Sequence, residues 1–232
     1  MNSKKLAVQV IIYCLGLLIL AFGVAFAIGS NLGISPVNSV PFAAHLASGI
    51  NVGTAVTIFF LLLIGFQILI LRRNFKPIEL TQIIFATIFG FFVDLTVFIL
   101  GDFAIPTYAG QLAMLAISIV LIAIGVSMYL EAKLISLPPE GILLAFIQKY
   151  PKYTFARCKV VFDCGLVLIA VAITLLSLRG VYGVREGTVI SAILLGRAIY
   201  YARRIVVYLL GKTRFYKIIS NEGSEKRDPQ EP

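Results

Sequence analysis

Long apolar runs are the feature that most constrains how this chain folds. Runs of about 20 residues recur along it, and each is long enough to cross a hydrocarbon core of about 30 Å. Of the 232 residues, 59% are hydrophobic and only 13% are charged. A soluble domain of this size carries far more charge. The sequence therefore predicts an all-α integral membrane protein that lies in a lipid bilayer.

Six of these runs are predicted to be full spans, and two shorter segments between them are not. The predicted spans cover residues 6–28, 52–71, 80–100, 110–130, 156–178 and 188–209. The short segments, 35–48 and 137–148, open with Pro36 and Pro138. Proline suits the first turn of a helix, because it lacks an N–H group that would have no partner there. The pattern predicts two re-entrant half-helices that begin inside the membrane.

The positions of Lys and Arg distinguish this arrangement from one in which the short segments also cross, which would give eight spans. With Lys4 and Lys5 in the cytoplasm, six spans place the other basic clusters in the cytoplasm, whereas eight spans place Arg72 and Arg73 outside. The positive-inside rule therefore favours six spans, with both termini in the cytoplasm. This orientation accounts for the net charge of +9, so nucleic acid is not a predicted partner.

The two halves of the chain resemble each other. A shift of about 102 residues aligns Leu32 with Leu134, Pro36 with Pro138 and Asn38 with Glu140, and a shift of about 106 aligns Gly90 with Gly196. We therefore predict two repeats, 1–105 and 106–218, each with three spans and one half-helix. Because three is odd, the second repeat is inverted relative to the first, as in secondary transporters. The charged segment 219–232 is predicted to be a disordered cytoplasmic tail.

Short motifs in both halves resemble a known family of bacterial membrane proteins, the YczE/YitT type. The residues that carry the resemblance are Asn31-Leu32-Gly33-Ile34-Ser35-Pro36, Ala156-Arg157 with Asp163, and Gly187-Thr188 through Ala192 to Gly196. The resemblance implies a multi-pass protein of the bacterial plasma membrane, without an assigned substrate. The chain is similar to the shorter YczE branch, because it ends about where a C-terminal soluble domain of the YitT type would begin. Arg197 departs from the family pattern, in which an apolar residue or proline follows the glycine.

Ionisable side chains inside spans are the functional candidates, because each costs about 2.5–3.5 kcal/mol on insertion scales. Glu140 lies in the first turn of its half-helix, where it is either a cation or proton site or a cap for its own backbone. Arg197 lies near the midplane, and we expect it to pair with Glu140, Asp163 or Asp94. That pair is either structural or a site in which the arginine holds an anionic substrate.

The predicted substrate site combines the two half-helix starts with this arginine. Its residues are Ser35, Asn38, Ser39, Pro138, Glu140 and Arg197, and the residues predicted to couple an ion or proton are Glu140, Asp163 and Asp94. No cofactor or metal site is predicted, because His45 is the only histidine and the cysteines show no metal-binding spacing.

The leading functional hypothesis is a secondary transporter of a small molecule or ion, with a site at the midplane and with proton coupling as one option. The alternative is a non-transporting membrane component, either a substrate-binding subunit or an assembly or regulatory factor, that needs a partner. An enzyme is not predicted, because the sequence contains neither the HExxH nor the GxSxG motif. The sequence also allows a homo-oligomer.

Overall fold

The computed structural model describes residues 3–212, and within this range the protein is all-α. These described residues contain eight helices, which are α1 Ser3–Ser30, α2 Pro36–Ser48, α3 Val52–Leu71, α4 Thr81–Leu100, α5 Tyr108–Glu131, α6 Pro138–Lys149, α7 Phe155–Leu178 and α8 Glu186–Lys212. Two 3₁₀ turns, Arg72–Asn74 and Pro77–Leu80, join α3 to α4. The predicted tail, 219–232, lies outside the described residues.

Five helices, α1, α3, α4, α5 and α7, are long and apolar enough to cross a membrane. They coincide with five of the predicted spans, which confirms an integral membrane protein with several apolar helices. The sixth predicted span, 188–209, lies within α8. That helix has 27 residues, so its length suffices. It carries Arg197, Arg203 and Arg204, however, and length and composition alone do not assign it to the membrane.

Two short helices lie between the long ones in the chain, and both begin at the predicted prolines. The helices α2 and α6 have 13 and 12 residues. At 1.5 Å per residue they extend about 20 Å, which is less than a membrane span requires. Ser35 and Leu137, the residues before them, have extended backbone, as expected before proline. Proline therefore sets where each short helix begins.

The helices α1 and α5 form the centre of the bundle. Glycines bring their backbones together: a Cβ atom on Gly16 would lie 2.8 Å from the Tyr129 nitrogen, and one on Gly23 would lie 2.8 Å from the Ile122 nitrogen. Small residues allow this close approach between membrane helices, as the spacing of these two glycines predicts. The helix α4 packs on α1, and α8 packs on α5.

The short helices pack against long helices from the opposite half of the chain. The helix α2 packs on α7 as well as on its neighbour α3, and α6 packs on α3 as well as on its neighbour α7. Each short helix is therefore held between the same two long helices. This arrangement brings the starts of α2 and α6 to one region of the bundle.

The pairs α3–α4 and α7–α8 occupy equivalent places in the two halves, but they differ in packing. The helices α3 and α4 pack along a close contact, where a Cβ atom on Gly53 would collide with the carbonyl oxygen of Gly90. Within the described residues, α7 and α8 form no such packed interface. A Cβ atom on Gly196 of α8 would meet open space. A gap therefore separates α7 from α8.

Candidate functional site

A cavity of about 200 Å³ lies where the two short helices begin. Ser35 to Asn38 reach it from α2, and Leu137, Pro139 and Glu140 reach it from α6. Its wall is mostly apolar and includes the rings of Phe60 and Phe89. The polar side chains on its surface are those of Ser35, Asn38, Tyr129, Glu140, Lys159, Asp163 and Ser191. The predicted meeting of the two helix starts is therefore observed as one shared cavity.

Three buried polar atoms have no hydrogen-bond partner of good geometry within the described part of the chain. They are Glu140 Oε2 and Tyr129 Oη at the cavity and Tyr13 Oη on α1, which does not line it. The two tyrosines are 1% and 0% exposed, and their ring centroids are 5.6 Å apart. Tyr13 interacts with Glu140 electrostatically, and the hydroxyl group of Tyr129 lies close enough to the Glu140 carboxylate for a direct polar contact as well. Buried polar atoms in native proteins nearly always have partners, so this group marks a place for a ligand, an ion or water.

The charges around Glu140 leave its carboxylate uncompensated. Lys159 and Asp163, one turn apart on α7, both interact electrostatically with Glu140. Lys159 Nζ lies 2.6 Å from Asp163 Oδ1, so these two charges form an ion pair with each other. Glu140, Lys159 and Asp163 are the ionisable acidic and basic residues on the cavity surface. With all three ionised, the cavity has a net charge of −1.

The start of α6 is supported by a pair of buried glutamines from α3 and α4. Gln67 Nε2 donates to the Pro138 carbonyl oxygen at 3.2 Å and to Gln82 Oε1 at 3.2 Å. Gln82 Nε2 donates back to Gln67 Oε1 at 3.3 Å. The carbonyl groups at the start of a helix already accept N–H groups of the following turn, so Gln67 adds a second bond that joins α3 to the first turn of α6. Pro138 therefore has a structural contact, and it does not line the cavity.

The start of α2 satisfies its polar groups locally. Asn38 Nδ2 donates to Ser35 Oγ at 3.0 Å, and Ser39 Oγ donates to the Pro36 carbonyl oxygen at 2.6 Å. Ser35 and Asn38 line the cavity, as predicted for substrate residues, whereas Ser39 does not. The first turn of α2 therefore presents neutral groups that already have partners.

The segment before α2 is held by the loop between α7 and α8. The Ile34 nitrogen donates to the Gly183 carbonyl oxygen at 3.1 Å, and the Gly187 nitrogen donates to the Leu32 carbonyl oxygen at 2.8 Å. Gly33 between them has φ of 103°, a conformation that favours glycine. These bonds tie the start of α2 to the first turn of α8.

Asp94, a predicted coupling residue, does not reach the cavity. Its Oδ1 atom accepts a hydrogen bond of 2.6 Å from the Gly53 nitrogen in the first turn of α3. The first N–H groups of a helix have no partner within the helix, so a carboxylate from α4 fills that need. The structure therefore gives Asp94 a capping contact.

The predicted ion pair of Arg197 is wrong. Its side chain is exposed, and it forms no salt bridge with Glu140, Asp163 or Asp94. Successive residues of a helix point about 100° apart, so Gly196 lines the cavity while Arg197 points elsewhere. The arginine that does find a buried carboxylate is Arg203, whose Nε atom lies 2.6 Å from Glu131 Oε1.

Sequence reasoning missed the two tyrosines and the two glutamines. A tyrosine in an apolar run is typical of ordinary packing, because its ring is apolar. The sequence does not show whether its hydroxyl group has a hydrogen-bond partner. The glutamines did carry a signal, since an amide in a span is costly unless it forms a hydrogen bond. Two glutamines in neighbouring spans therefore indicate a contact between those spans.

Comparison with known proteins places the chain in a family. Residues 7–204 match a family of unknown function, DUF6198. The uncharacterized membrane protein YczE of Bacillus subtilis (strain 168) is 32% identical over 148 residues, which cover 63% of this chain and 66% of YczE. The uncharacterized protein YyaS of the same organism is 28% identical over 204 residues, or 87% of this chain and 96% of YyaS.

No solved structure matches the chain. The family match extends from the beginning of α1 into α8, so it includes every residue that lines the cavity. It confirms the resemblance that the short motifs indicated. This chain belongs to the family of unknown function DUF6198 and is a YczE-like membrane protein.

Proposed function

We propose that this protein is a secondary transporter of a small solute in the bacterial plasma membrane. The observation that carries the proposal is the cavity on which both short helices begin, with its unpartnered Glu140 Oε2. Backbone that is not helical is tolerated at membrane depth only where protein or a water-filled cavity satisfies it. Transporters place their solute site at such interrupted helices near the midplane.

Each short helix packs on a long helix of the opposite half, and this arrangement supports the inverted repeat. In the proposed arrangement α8 is the sixth span, α2 and α6 are re-entrant, and both termini are cytoplasmic. Exchanging the halves turns the contact of α2 with α7 into that of α6 with α3, and the contact of α1 with α4 into that of α5 with α8. Two repeats related by a two-fold axis in the membrane plane have this property.

Glu140 is the residue to which the proposal assigns coupling. It is the cavity carboxylate that has no ion pair, whereas Asp163 is paired with Lys159 and Asp94 caps α3. A carboxylate in apolar surroundings is stabilised by gaining either a cation or a proton. Exchange of one for the other at Glu140 would couple movement of a solute to movement of a proton.

One observation favours the alternative, a membrane component that works with a partner. The helices α7 and α8 both expose large apolar side chains, including Leu168, Leu176 and Ile193, and no packed interface joins these two helices within the described residues. A helix of another subunit could occupy the gap between them. The two functions differ in whether the purified protein alone moves a solute.

The proposal is tested first by binding and then by flux. Purified protein in detergent is screened for thermal stabilisation by small anions, cations, amino acids and vitamins at several pH values. Each compound that stabilises the protein is then measured for uptake into proteoliposomes, with Glu140→Gln as the comparison. We expect uptake that Glu140→Gln abolishes. Stabilisation without uptake, or no stabilisation by any compound, would contradict a self-sufficient transporter.

A further inference from the structure

We infer that the cavity binds a small protonated amine with an apolar body, and that this ligand reaches Glu140 through the gap between α7 and α8. The inference rests on the proposed function, because it names the class of solute that the same cavity takes. It is drawn from the charge of the cavity, from its apolar wall and from the position of its opening.

The charge of the cavity favours a monovalent cation. Glu140 lines the cavity, and its Oε2 atom is buried without a hydrogen-bond partner among the described residues. Lys159 does not neutralise it, because Lys159 Nζ forms its ion pair with Asp163. A buried charge needs a partner of opposite sign, so one positive group in the cavity would balance Glu140.

An anion finds no free cationic partner in the same cavity, because the basic side chain on its surface, Lys159, already pairs with Asp163. Arg197 is exposed and does not line it. At the start of α2, Ser35 and Asn38 already bond to each other. The start of α6 would offer its N–H groups to an anion, but Glu140 in that first turn would repel it.

The number and kind of oxygen atoms fit an ammonium group better than a metal ion. A bare Ca²⁺ needs six or more oxygen ligands, and Mg²⁺ needs six. Among the described residues there is no group of three or more His, Cys, Asp or Glu side chains that could hold a metal. An ammonium group needs up to three acceptors. Glu140 Oε2 and Tyr129 Oη can accept from such a group at the cavity surface, whereas Tyr13 Oη does not line the cavity.

The remainder of the cavity fits an apolar body. Leu20, Phe60, Phe89, Ile122 and Val126 lie on its surface, and its volume is about 200 Å³. Such a wall cannot replace the hydration of a bare inorganic ion, but it can cover the carbon atoms of an organic one. Aromatic rings additionally attract ammonium groups. The cavity therefore combines one charged end with an apolar enclosure.

The opening of the cavity lies between α7 and α8. Val160 of α7 lines the cavity and is 63% exposed, and Gly196 of α8 lines it beside open space. On the equivalent side, the packed contact of Gly53 with Gly90 closes α3 against α4. A ligand with an apolar body can pass the apolar residues at this opening.

The ligand class is tested with n-butylammonium as the probe and full-length purified protein in detergent. n-Butanol and butyrate serve as the neutral and anionic analogues, and binding is measured by calorimetry. We expect n-butylammonium to bind at least about tenfold more tightly than either analogue, which corresponds to about 1.4 kcal/mol. Failure of n-butylammonium to bind, or tighter binding of butyrate, would overturn the inference.

Three variants then locate the ammonium group: two change a carboxylate, and one removes a tyrosine hydroxyl group. Glu140→Gln should weaken n-butylammonium binding at least about tenfold, and Tyr129→Phe should weaken it by a smaller factor. Asp102→Asn, which changes an exposed carboxylate away from the cavity, should leave the affinity unchanged. Equal affinities of wild type and Glu140→Gln, both folded by circular dichroism, would refute the placement of the ammonium group.

Two glycine variants test the opening. Gly196→Leu and Gly165→Leu both add a side chain where the Cβ atom meets nothing within 4 Å, so both should fold. Only Gly196 lines the cavity. We expect Gly196→Leu to slow association of n-butylammonium at least about fivefold, while Gly165→Leu leaves the rate unchanged. Equal association rates would exclude this route.

Flux measurements separate the ligand class from the transport function. If n-butylammonium binds through Glu140 but proteoliposomes do not accumulate it, the ligand class stands and the transporter proposal fails. If proteoliposomes accumulate another solute while n-butylammonium does not bind, transport stands and the ligand class fails.

Discussion

The pairs α3–α4 and α7–α8 follow the two short helices at equivalent places in the chain, and only the first pair closes. On the first side, Gly53 and Gly90 bring the backbones into contact, and Asp94 caps α3 across that contact. On the second side, Gly196 remains beside open space, although it aligns with Gly90. The first pair is therefore closely packed, whereas the second pair is not.

The starts of the short helices differ in the same sense. Asn38 is neutral and bonded to Ser35, whereas its aligned residue Glu140 carries a buried oxygen without a partner. A difference of one residue at the same place thus separates a neutral helix start from one that carries a carboxylate. Similar halves therefore need not share a role: the first satisfies its polar groups locally, and the second places a carboxylate at the cavity.

The largest expected effect on the free energy of unfolding comes from adding a methyl group to a glycine of each helix pair. Gly53→Ala adds a Cβ atom that collides with the Gly90 carbonyl oxygen, so we expect it to lower the free energy of unfolding by about 3 kcal/mol. Gly196→Ala meets open space and should change it by less than about 1 kcal/mol. Denaturation in detergent measures both. Equal losses in the two variants would break the contrast between the pairs.

The next largest effect comes from adding a carboxylate to the start of α2, compared with removing the carboxylate from the start of α6. Asn38→Asp adds a carboxylate to the first turn of α2, and we expect a loss of about 2.5 kcal/mol in the free energy of unfolding. Glu140→Gln removes a charge that lacks a partner, so its change should stay within about 1 kcal/mol. The same denaturation assay applies. If Asn38→Asp leaves the free energy of unfolding unchanged, the start of α2 tolerates a charge as well as the start of α6 does.

A smaller effect tests the support of α6. Gln67→Leu leaves the Gln82 amide without its partner and removes the bond from α3 to the Pro138 carbonyl oxygen, which should cost about 2 kcal/mol. In the double variant Gln67→Leu, Gln82→Leu, the loss should be smaller than the sum of the two single losses, because the amides are partners. Additive losses in denaturation would show that the glutamines act independently.

The smallest effect concerns the cap of α3. Asp94→Ala removes the acceptor of the Gly53 N–H group, and we expect a loss of about 1 kcal/mol in the free energy of unfolding. Tyr200 aligns with Asp94 in the second half but is exposed, and Tyr200→Phe should have no measurable effect. A larger loss of stability from Tyr200→Phe than from Asp94→Ala would contradict the view that α3 and α4 form the more closely packed pair.

Much of the architecture could be predicted because it depends on properties local to the sequence. Apolar runs locate α1, α3, α4, α5 and α7, since length and hydropathy suffice to identify such helices. Prolines locate the starts of α2 and α6, since their ring fixes the backbone. The tail, 219–232, is a prediction that lies outside the described residues.

The candidate site could be predicted only in part, because it depends on which face of a helix a residue occupies. Ser35, Asn38, Glu140 and Asp163 do line the cavity. Arg197 does not line it and is exposed, since position along a helix does not determine direction around it. The gap between α7 and α8 had no local signal, because Gly90 and Gly196 look alike in sequence.

The bonded glutamines of α3 and α4 have a consequence for how the chain is inserted into the membrane. A nascent chain delivers α3 and α4 before α6 exists, so the Pro138 carbonyl oxygen is not yet available to Gln67. The bonds between Gln67 and Gln82 need only α3 and α4, so they can form before α6 is synthesised. The second half of the chain would then be inserted next to a glutamine pair whose amides already have partners.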